Sequence, residues 1–140
     1  MPIIVTGMGG ALAVFVKNSG VADQIGQIIV ASPFPPIIVP VILAAIIHVV
    51  TGSNALGVMT AAALVQPMLD SLGVSPVAAF LACGTGALMF KHANSSGFWV
   101  TVSMSNMDVN QGIRAVGGGS TVAGFTGALV TCILYMLGII

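Results

Sequence analysis

"FKHANSSGFWV", residues 90–100, puts a lysine, a histidine, an asparagine and two serines side by side in a chain that is otherwise almost uniformly apolar. Such a cluster needs a reason, because a polar group taken out of water without a partner costs free energy. A second, shorter polar stretch, "TGSN" at 51–54, interrupts another apolar run. The fold follows from what these two interruptions break.

The surroundings decide which solvent matters. The 140 residues are 57% hydrophobic and only 4% charged, far too little charge for a water-facing surface. The mean hydropathy is +1.14, so lipid is the solvent for most of the chain and lipid is its first partner. The formal charge is zero, which removes the electrostatic basis for binding nucleic acid. Cys83 and Cys132 lie in apolar runs without CxxC or His/Cys ligand spacing, so they read as inert thiols. No phosphate loop, metal-ligand spacing or catalytic triad is visible, so neither an enzyme, a cofactor nor a metal is expected. The N-terminus lacks the basic region and cleavage site of a signal peptide and reads as beginning inside a membrane element.

Outward from the two interruptions, the chain divides into four parts. Residues 1–31 read as glycine-rich helices, with "KNSG" at 17–20 between them and Asp23 in the first turn of the second. Residues 37–69 would measure about 50 Å as one straight helix, against a hydrocarbon core of about 30 Å. With "TGSN" at the centre, a re-entrant hairpin tipped by that break is favoured over a strongly tilted broken span. Residues 77–105 read as one discontinuous span opened near its middle by "HANSSG". "SNMDVNQGIRAVGGGS" at 105–120 reads as a polar connector, and residues 117–140 as the final span. There Ser120, Gly124 and Ala128 recur at four-residue spacing, as in closely packed membrane helices. The expected fold class is an all-α integral membrane protein with a re-entrant hairpin and a discontinuous helix.

Backbone left unpaired in hydrocarbon costs several kcal/mol per group, so broken helices persist only around a protein-lined or wet cavity. There, half-helix N-termini face anions and bare carbonyls face cations. Thr51, Ser53, Asn54, Asn94, Ser95 and Ser96 offer donors and acceptors without charge. Gly52 and Gly97 allow close backbone approach. Any one of these polar residues alone more often bonds a neighbouring helix. Two glycine-linked clusters in one short chain point to a transport site. His92 titrates near neutral pH and suits a proton. Lys91 suits an anion partner. His48, one turn before "TGSN", reads as a satisfied packing histidine.

At these residues the chain resembles a known family. "VTGSNALGVMTAA" followed about forty residues later by "KHANSSGFW" is similar to the C-terminal part of the gluconate permease (GntP) family, with its "ATGSATVA"-type and "SHVNDAGFW"-type stretches. "TGMGGALAVFVKNSGVAD" near the start resembles the family's glycine-rich segment. The resemblance runs through essentially the whole chain. It implies a proton-coupled secondary transporter of gluconate or a related sugar or hydroxy acid, in a bacterial inner membrane. It implies one half of an inverted repeat, and as partners a homodimer or a separate N-terminal half. It places substrate or coupling contacts at Thr51, Gly52, Ser53, His92, Asn94 and Gly97. Ser95 stands where the pattern has aspartate and Lys91 where it has a small polar residue, which leaves His92 as the first place to seek the proton. A small membrane scaffold, or an inactive truncated transporter, is the competing expectation.

Overall fold

The computed structural model describes residues 34–140 together with Asn18 and Ser19. The glycine-rich helices expected over 1–31 lie outside the described residues, apart from those two. Everything regular among the described residues is helical.

Helix α1, Ile38–Thr51, stops where Gly52 takes the left-handed conformation (φ 67°) and its N–H closes on the His48 carbonyl at 2.7 Å. That conformation is easy only for glycine. One residue later Ser53 is extended, and its hydroxyl accepts from the Leu56 N–H, starting α2, Asn54–Val65. Helix α2 runs on through a tight turn, Gln66–Met68, into α3, Leu69–Leu72, and ends at left-handed Gly73. The chain restarts at α4, Pro76–Gly86, where the Ser75 hydroxyl accepts from the Ala78 N–H and Pro76 stands at the first helical position.

Helices α1 and α2 fold back on each other. A Cβ on Gly57, one turn into α2, would lie 3.2 Å from the His48 Cβ and 3.4 Å from the Ala44 carbonyl. Since His48 and Ala44 precede the joint by one and two turns, the arms are antiparallel. The tilted broken span does not form, because a two-residue joint with a left-handed glycine reverses the chain.

Residues 87–95 separate α4 from α5, Ser96–Met104. The interruption of the 77–105 segment is present but opens at Ala87, earlier than the polar residues do. Helix α6, Val109–Gly112, is nucleated by a reciprocal cap: the Gln111 N–H donates to Asp108 Oδ1 at 2.8 Å, and the Asp108 N–H donates to Gln111 Oε1 at 3.0 Å. A wide π turn, Ile113–Gly117, leads into α7, Gly118–Met136. The expected polar connector is thus largely helical, and α7 itself begins at Gly118, next to the expected start of the final span at 117. The helical run is Val109–Met136, 28 residues. The cap supplies a start signal upstream of the glycines. Close packing outweighs their poor helix propensity: Gly117 lies against the Lys91 carbonyl and Gly124 against the Met89 backbone.

Helices α1, α2 and α4 pack together, α7 lies on α4, and α5 meets α6 and the π turn. The interior is made of small residues, among them Ala44, Ala61, Ala78, Ala82 and Ala87, all fully buried. Bulky apolar side chains face outward instead, with Phe80 62%, Leu129 61% and Met136 72% exposed. Small inside and large outside is the pattern of helices that meet each other closely and meet lipid elsewhere. Two continuous helical runs, Asn54–Leu72 and Val109–Met136, are long and apolar enough to cross a membrane. At about 1.5 Å per residue, the first is about 28 Å long and the second about 42 Å.

Candidate functional site

The first break is short and almost fully bonded. The Thr51 hydroxyl donates to the Ile47 carbonyl at 2.8 Å and accepts from the Ser53 N–H at 3.3 Å. Gly52 is buried, Ser53 and Asn54 are half-buried, and Thr51 is exposed. Ser53 and Asn54 form the N-terminus of α2, whose first amide groups have no partner within the helix.

The second break is longer and looser. Lys91 is half-buried, His92, Asn94 and Ser96 are exposed, and Ser95 is buried. The Nδ1 of His92 lies 2.8 Å from the Phe90 carbonyl, to which it donates in the corresponding tautomer. The Trp99 indole N–H donates to the Ala93 carbonyl at 2.6 Å, tying α5 to the loop before it. The hydroxyl of Ser120, in α7, donates to the Leu88 carbonyl at 2.9 Å.

The structure brings the two breaks together. The Asn94 amide crosses to the Val49 carbonyl at 2.5 Å, and the Asn54 amide crosses the other way to the Ala87 carbonyl at 2.9 Å. Between them the backbone of Gly52 rests against the backbone carbonyl of Asn94, where any side chain on residue 52 would overlap it. Each break therefore satisfies a carbonyl that the other leaves free at its helix end. Asn54, Asn94 and Gly52 are joined in this way. Among the described residues Ser96 has no hydrogen bond to the first break, and Thr51 bonds only within its own.

Positive charge gathers on one side of this junction. The Lys91 ammonium lies 3.4 Å from where a Cβ on Gly97 would stand, over the first turn of α5. An ammonium and a helix N-terminus both favour an anion. Lys91 and His92 line a cleft of about 400 Å³ together with Val49, Phe90, Gly117 and Thr121. Gly117 and Thr121 were not visible as site residues in the sequence, because the surrounding glycines read as a connector. The described acidic residues stand apart: Asp108 caps α6, and Asp70 is exposed in α3.

His48 departs from expectation. It is fully buried, and neither ring nitrogen has a hydrogen-bond partner among the described residues. Backbone of Ser53 and Phe90 lies near the ring but outside hydrogen-bond geometry, and Lys91 and His92 are within electrostatic reach. A satisfied packing histidine is thus not what the structure contains. The only signal available in the sequence was its place, one turn before "TGSN".

Residues 1–137 match the profile of the family described as GntP family permease. The chain is 30% identical over 136 residues to the gluconate permease of Pseudomonas aeruginosa, covering 96% of this chain and 30% of that protein. It is 28% identical over 134 residues to the high-affinity gluconate transporter of Escherichia coli K12, with the same coverage of 96% and 30%. An uncharacterized permease of Haemophilus influenzae is 34% identical over 107 residues, covering 76% of this chain and 22% of that one. The chain thus spans about a third of the length of the curated relatives it matches. No solved structure matches. Its match over nearly all of its length makes this chain a member of the GntP permease family.

Proposed function

We propose that this chain is part of a secondary permease that takes up gluconate or a related sugar acid together with a proton. The observation that carries the reading is the crossed pair of asparagine bonds that joins two broken helices beside the Lys91 ammonium. Gluconate has one carboxylate and five hydroxyl groups. Lys91 and the α5 N-terminus suit the carboxylate. The neutral groups of Thr51, Ser53, Asn54, Asn94, Ser95 and Ser96, with His92, suit the hydroxyls. Gly52 and Gly97 keep the backbone open to close approach.

In this reading α1 and α2 form a re-entrant hairpin, α4 and α5 the halves of a discontinuous span, and α7 the final crossing. The chain is the C-terminal repeat of an inverted pair in a bacterial inner membrane. It works with an N-terminal half, supplied separately or by a longer polypeptide, and assembles as a dimer. The support is the family membership and the names of the relatives, which are gluconate permeases and transporters.

The test is uptake of labelled gluconate by proteoliposomes under an inward proton gradient, with the chain alone and with an N-terminal half from a relative. Uptake should require both halves and collapse with the gradient. If the paired halves take up no sugar acid under any gradient, the reading fails.

A further inference from the structure

We propose that His48, rather than the exposed His92, binds the coupling proton and takes it up together with the substrate carboxylate. The inference rests on the sugar-acid reading above and assigns the residue that links the two fluxes. A fully buried imidazole with two unpartnered nitrogens is a poor choice for packing alone. Leaving a buried donor or acceptor unmade costs about 1–3 kcal/mol, which leucine or alanine would avoid. The ring is not at an arbitrary place either. It sits one turn before the junction, against Gly57 of α2, with Ser53 and Phe90 backbone close by.

The charges around it make proton and anion interdependent. Lys91 and His92 face it from the second break. Helix α4 contributes Cys83, which packs with Ala44 and Ala87, and α2 carries no titratable side chain. A proton arriving alone would add a buried positive charge beside Lys91. A carboxylate arriving at the Lys91 side offsets that ammonium and so lowers the repulsion the proton meets. Together they make a neutral pair: the imidazole nitrogen gains H⁺ from water, the carboxylate stays ionised, and no covalent bond in the substrate changes. Each therefore raises the affinity for the other by the same factor. With the Lys91 ammonium counted, the site carries one positive charge both empty and doubly loaded, and so avoids the two positive charges that a lone proton would leave in low dielectric.

The chain has two histidines, so H92Q leaves His48 as the single imidazole. In lipid nanodiscs, ¹⁵N-histidine NMR of the H92Q chain should show the ring titrating reversibly while the fold persists. A ring that stays neutral until the chain unfolds, with saturating gluconate added as without it, overturns the proposal. In weakly buffered solution, gluconate should draw about one proton per bound anion into wild type and none into H48L. Proton uptake retained by H48L also overturns it. Thermal unfolding separates a packing role: H48L should hold or raise the melting temperature, whereas a histidine needed for packing would lose several degrees. Absence of gluconate binding to wild type in calorimetry would refute the sugar-acid reading instead, leaving the NMR titration to decide on His48.

Discussion

The two breaks do the same topological job by different means. At "TGSN" the chain reverses in two residues, with a left-handed glycine and a serine cap, and nearly every polar group is bonded locally. At 87–95 the chain stays irregular over nine residues, with His92 and Asn94 exposed and Lys91 half-buried. A joint that must reverse the backbone tolerates little chemical variety, whereas a loop with room can carry a lysine and a histidine. The short break holds the geometry, and the long break holds the charge.

The largest effect should come from forcing a side chain into the short break. Gly52→Val combines a left-handed backbone with overlap on the Asn94 carbonyl, and should destabilise by about 3 kcal/mol or more. Thermal unfolding in detergent measures it. Gly97→Ala in the long break is the counterpart, where the only close neighbour is a flexible lysine, and should stay within about 1 kcal/mol. Equal losses at the two glycines would erase the distinction.

Next come the crossed bonds. Asn94→Ala strands the Val49 carbonyl and Asn54→Ala strands the Ala87 carbonyl, each worth about 1–3 kcal/mol. A double-mutant cycle should show coupling of about 0.5 kcal/mol or more, because both bonds close one junction. Strict additivity would mean that the breaks are held independently.

Charge in the long break should matter to binding and little to stability. Lys91→Gln should weaken sugar-acid affinity about tenfold, or about 1.4 kcal/mol, with an unchanged melting temperature. Lys91→Arg should recover most of it. Isothermal titration on the paired halves reads this difference. The smallest effect belongs to a residue in neither break: Asp108→Ala removes the α6 cap, costing about 1 kcal/mol of stability and no affinity.

Much of this architecture was legible in the residues. Both breaks announced themselves because serine, asparagine and glycine are conspicuous in an apolar chain, and the hairpin followed from arithmetic on helix length. The contact between the breaks was not legible. Asn94 reaches Val49 across 45 positions and Asn54 reaches Ala87 across 33, and no local pattern encodes such pairing. The early end of α4 was hidden because residues 87–90 are as apolar as the helix before them. The long final helix was hidden by Gly117, Gly118 and Gly119, which look like a linker until tertiary packing makes their lack of side chain useful. His48 was found but misjudged, since whether a buried ring is satisfied depends on neighbours from three other segments.

The π turn at Ile113–Gly117 adds a last consequence, one of phase. A turn that closes one residue late shifts everything after it by about 100° around the axis relative to an unbroken α-helix. That offset lets Val109–Gly112 present itself to α5 while Gly124, Gly127 and Ala128 still face the end of α4. Deleting any single residue from 113–117 would restore a regular helix and turn one of these two faces away. The final helix therefore behaves like two gears on one shaft, set at different angles by a single extra tooth.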